Sequence, residues 1–171
     1  MRVLRSALAF IAALALATTV PTEEARATEI GSSNPFGLGV ALGYPAGISG
    51  KYYIGGRKNA IEGVIGSWAN HWAGAWYLHG VYLWHPSVLT DQPGFELPWH
   101  VGLGGFLADD YYGWGRYWAN DVTGGVRGQL GLDLDLKDVR LQFSGDLAMN
   151  IAIAPEIYWN LHPSITIRYF F

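Results

Sequence analysis

The chain has 171 residues, of which 50% are hydrophobic and 15% are aromatic, and its formal net charge is −3. It contains no cysteine, which excludes a disulfide framework and a thiolate metal site. It also has no basic run, internal repeat or low-complexity block, so we expect a single compact domain without a nucleic-acid partner.

The first 27 residues have the features of a secretory signal peptide. A basic start over residues 1–5 precedes an apolar run over residues 7–17. This run is shorter than the roughly 20 residues of a membrane-spanning helix, and the helix breaker Pro21 follows it. We therefore predict a cleaved signal peptide over residues 1–27, with cleavage after Ala27 or alternatively after Ala17. The mature domain is predicted to cover residues 28–171.

The mature domain is predicted to be all β. Eight alternating segments follow one another at short spacing, and no helical periodicity separates them. Most are close to the about 9–11 residues that a tilted strand needs to cross a bilayer. The predicted strands are residues 36–44, 48–54, 61–68, 76–84, 96–107, 122–136, 139–151 and 162–171.

Two short turns predict which residues share a face. We expect a three-residue turn at residues 45–47 and a two-residue turn at residues 137–138. These turns would pair Tyr44 with Ile48 and Leu136 with Val139. In both hairpins one face is then bulky and apolar, whereas the opposite face is small or polar.

The chemistry of the two faces favours a transmembrane barrel over a soluble, lipocalin-like barrel. An eight-stranded interior has room only for its own side chains, so the small and polar face fits the inside and the bulky apolar face fits lipid. A closed sheet also pairs every backbone group, as a lipid environment requires. Aromatic residues near strand ends are predicted to form interfacial girdles: Trp68, Trp76, Trp84, Trp99, Trp159 and Tyr169.

Two segments carry a resemblance to a known family. Residues 39–53 contain Gly-Tyr-Pro-x-Gly-x-Ser-Gly-Lys-Tyr-Tyr, and residues 165–171 alternate apolar with other side chains and end in Phe171. With these features the chain resembles the small OmpA/OmpX-like outer-membrane barrels, and more narrowly a group with that tyrosine-rich segment.

The resemblance implies a monomeric eight-stranded barrel in the bacterial outer membrane, in contact with lipid and lipopolysaccharide. It also implies that the barrel-assembly machinery recognises the last strand through Tyr169 and Phe171. It implies little chemistry, because folds of this kind host unrelated functions.

Charged residues on the predicted inner face form the first candidate site. We expect them to pair across the interior, because buried charges must be paired. Such a network would plug the lumen and have a structural role, and a narrow ion or solute channel is the alternative. The predicted network consists of Lys51, Glu62, Glu96, Arg127, Arg140, Asp146 and Arg168.

An aromatic connection between the fifth and sixth strands forms the second candidate site. With both chain ends in the periplasm, the strand count puts this loop outside the cell. Exposed Tyr, Trp and Arg anchor binding interfaces, so one interpretation is that the loop binds an extracellular protein or envelope component. The general occurrence of aromatic belts favours the other interpretation, in which the rings rest on lipopolysaccharide or lipid headgroups. The residues are Tyr111, Tyr112, Trp114, Arg116, Tyr117 and Trp118.

An alternative enzymatic function, as a lipid A-modifying hydrolase, would depend on His162 and Ser164. Residues 162–164 resemble the His-x-Ser element of outer-membrane lipid A deacylases, which implies a histidine base and a serine nucleophile. The family's Asn-Ala after the serine is replaced by Ile165-Thr166, and only Asp146 or Glu156 could supply the carboxylate. We therefore predict neither an enzyme nor a cofactor.

No metal site is predicted. The histidines at positions 71, 79, 85, 100 and 162 have no close partner at a recognisable ligand spacing. A site shared by His79 and His100 would depend on strand register. The acidic residues Asp133, Asp135 and Asp138 lack the glycine and the final glutamate of a calcium loop, so they are predicted to form a polar strand end and its turn.

Overall fold

The computed structural model describes residues 30–67, 76–109, 122–155 and 157–171. The predicted signal peptide, residues 1–27, lies outside them. The described residues form eight strands: β1 (Phe36–Gly43), β2 (Ala46–Tyr53), β3 (Asn59–Ser67), β4 (Trp76–Asp91), β5 (Phe95–Asp109), β6 (Val122–Leu136), β7 (Leu141–Ala154) and β8 (Tyr158–Phe170). Within this part of the chain, no helix is both long enough and apolar enough to cross a membrane.

The strands close into a barrel. Each strand pairs antiparallel with the next one in the chain, and β8 pairs with β1 from Gly37 opposite Phe170 to Gly43 opposite Ser164. The backbone N–H of Phe171 donates to the carbonyl of Phe36 at 2.9 Å, so the start of β1 and the end of β8 meet at one rim. The predicted fold class, an eight-stranded antiparallel up-and-down β-barrel, is confirmed.

The two faces of the barrel wall have opposite chemistry. Successive side chains of a strand point to opposite faces, so the alternation along each strand separates them. On the outer face Leu103 and Ile165 are each 60% exposed, whereas on the inner face Arg127 is 1% and Arg168 0% exposed. The predicted partition of apolar residues outward and polar residues inward is therefore correct in the described strands.

The β1–β2 turn is longer than predicted. The last pair of this hairpin is Ala41 with Gly47, and Val40, not Tyr44, lies opposite Ile48. The reason is that the end of β1 stays with β8: the backbone N–H of Tyr44 donates to the carbonyl of Pro163 at 3.0 Å. The predicted register was wrong by four residues. Because four is an even number, each side chain keeps its predicted face.

The β6–β7 turn also differs from the prediction. Leu136 pairs with Leu141, so four residues, 137–140, form the turn. A two-residue turn of the common type needs positive φ at both central positions, which favours Asn and Gly over Lys137 and Asp138. The longer turn needs only one left-handed residue, which is Arg140 with φ 53°.

Strand β4 extends seven residues beyond its predicted end at residue 84. The register of β4 with β5 shifts between Trp84 and Ser87, and Pro86 lies within this irregularity. Proline has no N–H to donate and is tolerated in sheets at bulges, so Pro86 interrupts the pairing without ending the strand. The β4–β5 hairpin therefore continues to Asp91.

Two apolar clusters lie inside the barrel, one toward each end. The first includes Ile30, Tyr53, Leu83 and Phe170, at the end where β1 begins and β8 ends. Ile30 is buried there, so the chain that precedes β1 turns into this opening. The second cluster consists of Tyr77, Phe106, Ala108 and Ala152, with Tyr158 packed against it. Buried polar and charged side chains lie between the clusters.

Candidate functional site

The charged interior brings together side chains from six strands. Of the predicted network, Arg140 is misplaced: it lies in the β6–β7 turn, partly exposed, and its carbonyl accepts from the N–H of Phe170. The prediction that it faces the lumen was wrong because the turn is two residues longer than expected. The remaining six residues are buried on the inner face: Lys51, Glu62, Glu96, Arg127, Asp146 and Arg168.

Arg168 lies at the centre of the interior. Its Nη2 donates to Glu62 Oε2 at 2.5 Å, and its Nε donates to Ser49 Oγ at 2.9 Å. Its Nη1 donates to Gln142 Oε1 at 3.2 Å and to Ser144 Oγ at 2.8 Å. A fully buried guanidinium and a buried carboxylate are thus paired and hydrogen-bonded, as burial of charge requires.

Arg127 is held by neutral groups. Its Nε donates to Gln129 Oε1 and its Nη1 to Asn150 Oδ1, both at 3.1 Å. Asn150 in turn donates to the hydroxyl of Tyr77 at 3.1 Å. No ion pair of Arg127 is found among the described residues. Gln129 connects this group to the rest of the interior, since its Nε2 lies 3.1 Å from both Glu62 Oε1 and Asp146 Oδ1.

Asp133 is the centre of a second group, which the sequence reasoning missed. Its Oδ2 lies 2.6 Å from Lys51 Nζ, 3.3 Å from His85 Nε2 and 3.3 Å from His100 Nδ1. Its Oδ1 accepts from Ser144 Oγ at 2.5 Å. His85, His100 and Asp133 each offer a possible metal ligand within 4.8 Å of one another, and strand register brings His100 together with His85, not with His79.

A signal for this group was present in the sequence. The outward phase of Leu132 and Leu134 places Asp133 inward, and the same alternation in β5 places His100 inward. His85 could not be found this way, because the predicted β4 ended one residue before it.

Glu96 lies at the rim instead of in the middle of the interior. It forms ion pairs with Arg57, in the β2–β3 turn, and with Lys137, whose Nζ is 3.0 Å from Oε1. Burial alone would lower the pKa of the Lys137 ammonium, but its hydrogen bonds to Asp91 and Glu96 outweigh burial and raise this pKa. The three turns at this end of the barrel are thus connected by opposite charges.

The predicted hydrolase pair lies inside β8. His162 is buried, and its Nδ1 accepts from Asn150 Nδ2 at 3.1 Å. Ser164 is paired across the sheet with Asp146, the carboxylate that also lies 2.8 Å from His100 Nε2. Asp146 is thus already engaged by His100 and Gln129.

Two predicted sites remain, the assembly signal at the end of β8 and the aromatic loop between β5 and β6. Tyr169 and Phe171 are exposed on the outer face, and their rings pack edge to face at 5.0 Å between centroids. The aromatic loop lies outside the described residues: Tyr111, Tyr112, Trp114, Arg116, Tyr117 and Trp118.

The fold and the buried charges define a class of protein, the small eight-stranded barrels with a polar interior and an apolar outer wall. Among solved structures, the chain is similar to the N-terminal β-barrel domain of Pseudomonas aeruginosa OprF. The TM-score is 0.50 and the identity 10%, and the match covers 78% of this chain and 95% of the OprF domain. No protein-family profile matches the chain, and no curated protein matches it.

The similarity to OprF is one of fold. It supports the predicted resemblance to OmpA-like barrels at that level. The narrower group, defined by the tyrosine-rich segment at residues 43–53, stays a prediction.

Proposed function

We propose that the protein is a small barrel of the bacterial outer membrane with a structural or surface-interaction role. The observation that carries this proposal is the polarity of the wall: Leu103, Ile165 and their neighbours face outward while Arg127 and Arg168 face inward. Burying one large apolar side chain is worth about 1.5–3 kcal/mol. An outer face rich in such side chains favours lipid as its surroundings.

The aromatic residues support the same setting. Trp84 and Tyr169 are exposed on the outer face toward the end where β1 begins and β8 ends, and Trp76 and Trp159 toward the opposite end. Two levels of exposed Trp and Tyr match the two interfaces of a bilayer. We infer that lipid and lipopolysaccharide contact this wall, and that the last strand, with Tyr169 and Phe171, is recognised by the barrel-assembly machinery.

The interior is proposed to seal the barrel. Arg168 with Glu62, Arg127 with Asn150, and the ring cluster around Tyr77 fill successive levels of the interior. Hydrogen bonds in these levels cross the interior, from Arg168 in β8 to Glu62 in β3 and from Asn150 in β7 to Tyr77 in β4, which favours a rigid plug over a channel. No catalytic role is part of the proposal, because the interactions of His162 and Ser164 are those of wall residues.

A substitution on the outer face tests the membrane setting. Leu103 lies near the middle of β5, and Leu103→Lys should cost about 2–4 kcal/mol of folding free energy in lipid vesicles. In a water-soluble barrel an exposed leucine replaced by lysine changes stability by less than about 0.5 kcal/mol. Urea titration followed by heat-modifiable gel mobility measures the difference.

The matched control is Ile157→Lys, in the β7–β8 connection, where the side chain is 82% exposed. This variant should leave stability in vesicles nearly unchanged. Equal stability of the Leu103→Lys variant and the wild type, or recovery of the wild type from the soluble periplasmic fraction, would contradict the membrane proposal.

The surface-interaction role is tested by deleting residues 110–118. The variant should keep the gel shift of a folded barrel and lose adhesion of the bacteria to other cells or to isolated envelope material. A folded deletion variant with full adhesion would leave only the structural role.

A further inference from the structure

We propose that His85, His100 and Asp133 form a Zn²⁺ site inside the barrel. The three side chains come from β4, β5 and β6, and all are buried. Two imidazoles and a carboxylate are a common ligand set for zinc, and alkaline-earth ions favour oxygen ligands instead. The site is independent of the sealing and interaction roles proposed above.

The distances fit a tetrahedral ion. Ligand bonds of about 2.0–2.1 Å imply ligand atoms about 3.3 Å apart. Asp133 Oδ2 is 3.3 Å from His85 Nε2 and 3.3 Å from His100 Nδ1. All three ligand atoms lie within 4.8 Å of one another, and two of the three distances already have the length that a tetrahedral ion requires.

The surroundings of His100 supply a second, independent argument. Its Nε2 lies 2.8 Å from Asp146 Oδ1, so this nitrogen is engaged by a carboxylate. Nδ1, which lies 3.3 Å from Asp133 Oδ2, is the atom directed at the proposed ion. A carboxylate that holds the far nitrogen of a histidine is typical of zinc sites, because it fixes the tautomer and the ring orientation. His100 Nδ1, which faces the proposed ion, is buried without a hydrogen-bond partner among the described residues.

The charged groups around the site determine how tightly it is expected to bind Zn²⁺. Asp133 and Asp146 together balance the two charges of the ion. The ammonium of Lys51, however, lies 2.6 Å from Asp133 Oδ2 and competes with the ion for this oxygen. Binding therefore requires Lys51 to move away from Asp133, and replacing Lys51 by a neutral residue should strengthen it.

The test uses untagged, full-length mature protein folded in detergent micelles and titrated with Zn²⁺ against a chromophoric chelator. The wild type should bind one ion per chain. His85→Gln and His100→Gln should each weaken binding by more than about 100-fold, and Asp146→Asn by about 10–100-fold. Lys51→Met should bind about tenfold more tightly. His79→Gln, a buried histidine outside the cluster, is the matched control and should bind like the wild type.

Heat-modifiable gel mobility shows first which variants are folded. X-ray absorption at the zinc edge of the wild type needs no variant and should report two imidazole ligands and at least one oxygen. Less than about a tenth of an ion per chain in the wild type would overturn the proposal. So would one imidazole or none in the absorption spectrum, or equal losses in His79→Gln and His85→Gln.

Discussion

The side chain of Arg168 forms hydrogen bonds with side chains of three other strands. It contacts side chains of β2, β3 and β7, through Ser49, Glu62, Gln142 and Ser144. A planar guanidinium has five donors in a fixed arrangement, so it can bind several walls of a narrow barrel at once. We infer that this residue fixes the relative positions of four strands.

Replacing Arg168 should therefore be costly. Arg168→Met keeps a long side chain but leaves the buried carboxylate of Glu62 without its guanidinium. Removing one partner of a buried pair costs about 3–5 kcal/mol, because the other charge stays buried and unpaired. Urea titration of the folded barrel in vesicles measures the free energy of unfolding.

Two further variants make this prediction specific. The double variant Arg168→Met with Glu62→Gln should recover a large part of the loss, because no unpaired charge then remains in the pair. Arg140→Met, in the β6–β7 turn, should change stability by less than about 0.5 kcal/mol. A single variant Arg168→Met as stable as Arg140→Met would refute the role of the central ion pair.

Alternation along the strands was enough to predict that Arg168, Lys51 and Glu62 point inward. It did not predict their partners, because a partner on another strand depends on register around the whole barrel. Arg140 shows the limit most clearly. It follows the same alternation as Gln142, yet the left-handed turn removes it from the inner face.

The pairing of β1 with β8, here called the seam, depends on a glycine. A Cβ added to Gly39 would lie 1.8 Å from the carbonyl oxygen of Ile167 and 2.7 Å from the Cα of Arg168. Only a residue without a side chain lets the two backbones approach this closely. The glycines of β1 are therefore part of the closure of the barrel.

Gly39→Ala should destabilise the barrel by about 1–3 kcal/mol, because the seam must move apart to hold one methyl group. Gly50→Ala is the matched control, since a Cβ at Gly50 meets no atom within 4 Å. Thermal unfolding in detergent, followed by the loss of gel shift, compares the two variants. Equal midpoints would show that the close approach at Gly39 is not needed.

The two hairpins also show why the register of strand pairing was predicted less well than the face on which each side chain lies. A turn changes length according to backbone angles at one or two residues, and the sequences at residues 45–47 and 137–138 fit more than one turn. Both errors were even numbers of residues, by four in β1–β2 and by two in β6–β7. A register error of an odd number of residues would have exchanged the two faces, with apolar side chains inside and charged side chains outside. The charged side chains buried in the structure would then have contradicted the predicted faces.

The whole barrel is expected not to conduct ions. Purified wild type in planar bilayers should give no resolvable conductance, because Arg127 and Arg168 are buried at separate levels of the interior. Arg127→Ala should stay closed as well, since the Glu62–Arg168 pair and the ring of Tyr77 remain. A large porin in the same bilayer is the positive control. Conductance in the wild type that changes in Arg127→Ala would instead support the channel alternative.

The pairing of the first strand with the last has a consequence for synthesis. Until β8 has been made, one edge of β1 has no partner, and in the proposed membrane setting its free N–H and carbonyl groups would enter hydrocarbon only at a large cost in free energy. A prematurely terminated polypeptide therefore cannot adopt a stable shorter version of this architecture. The geometry itself acts as a check on full translation, because only a complete product can join its own ends.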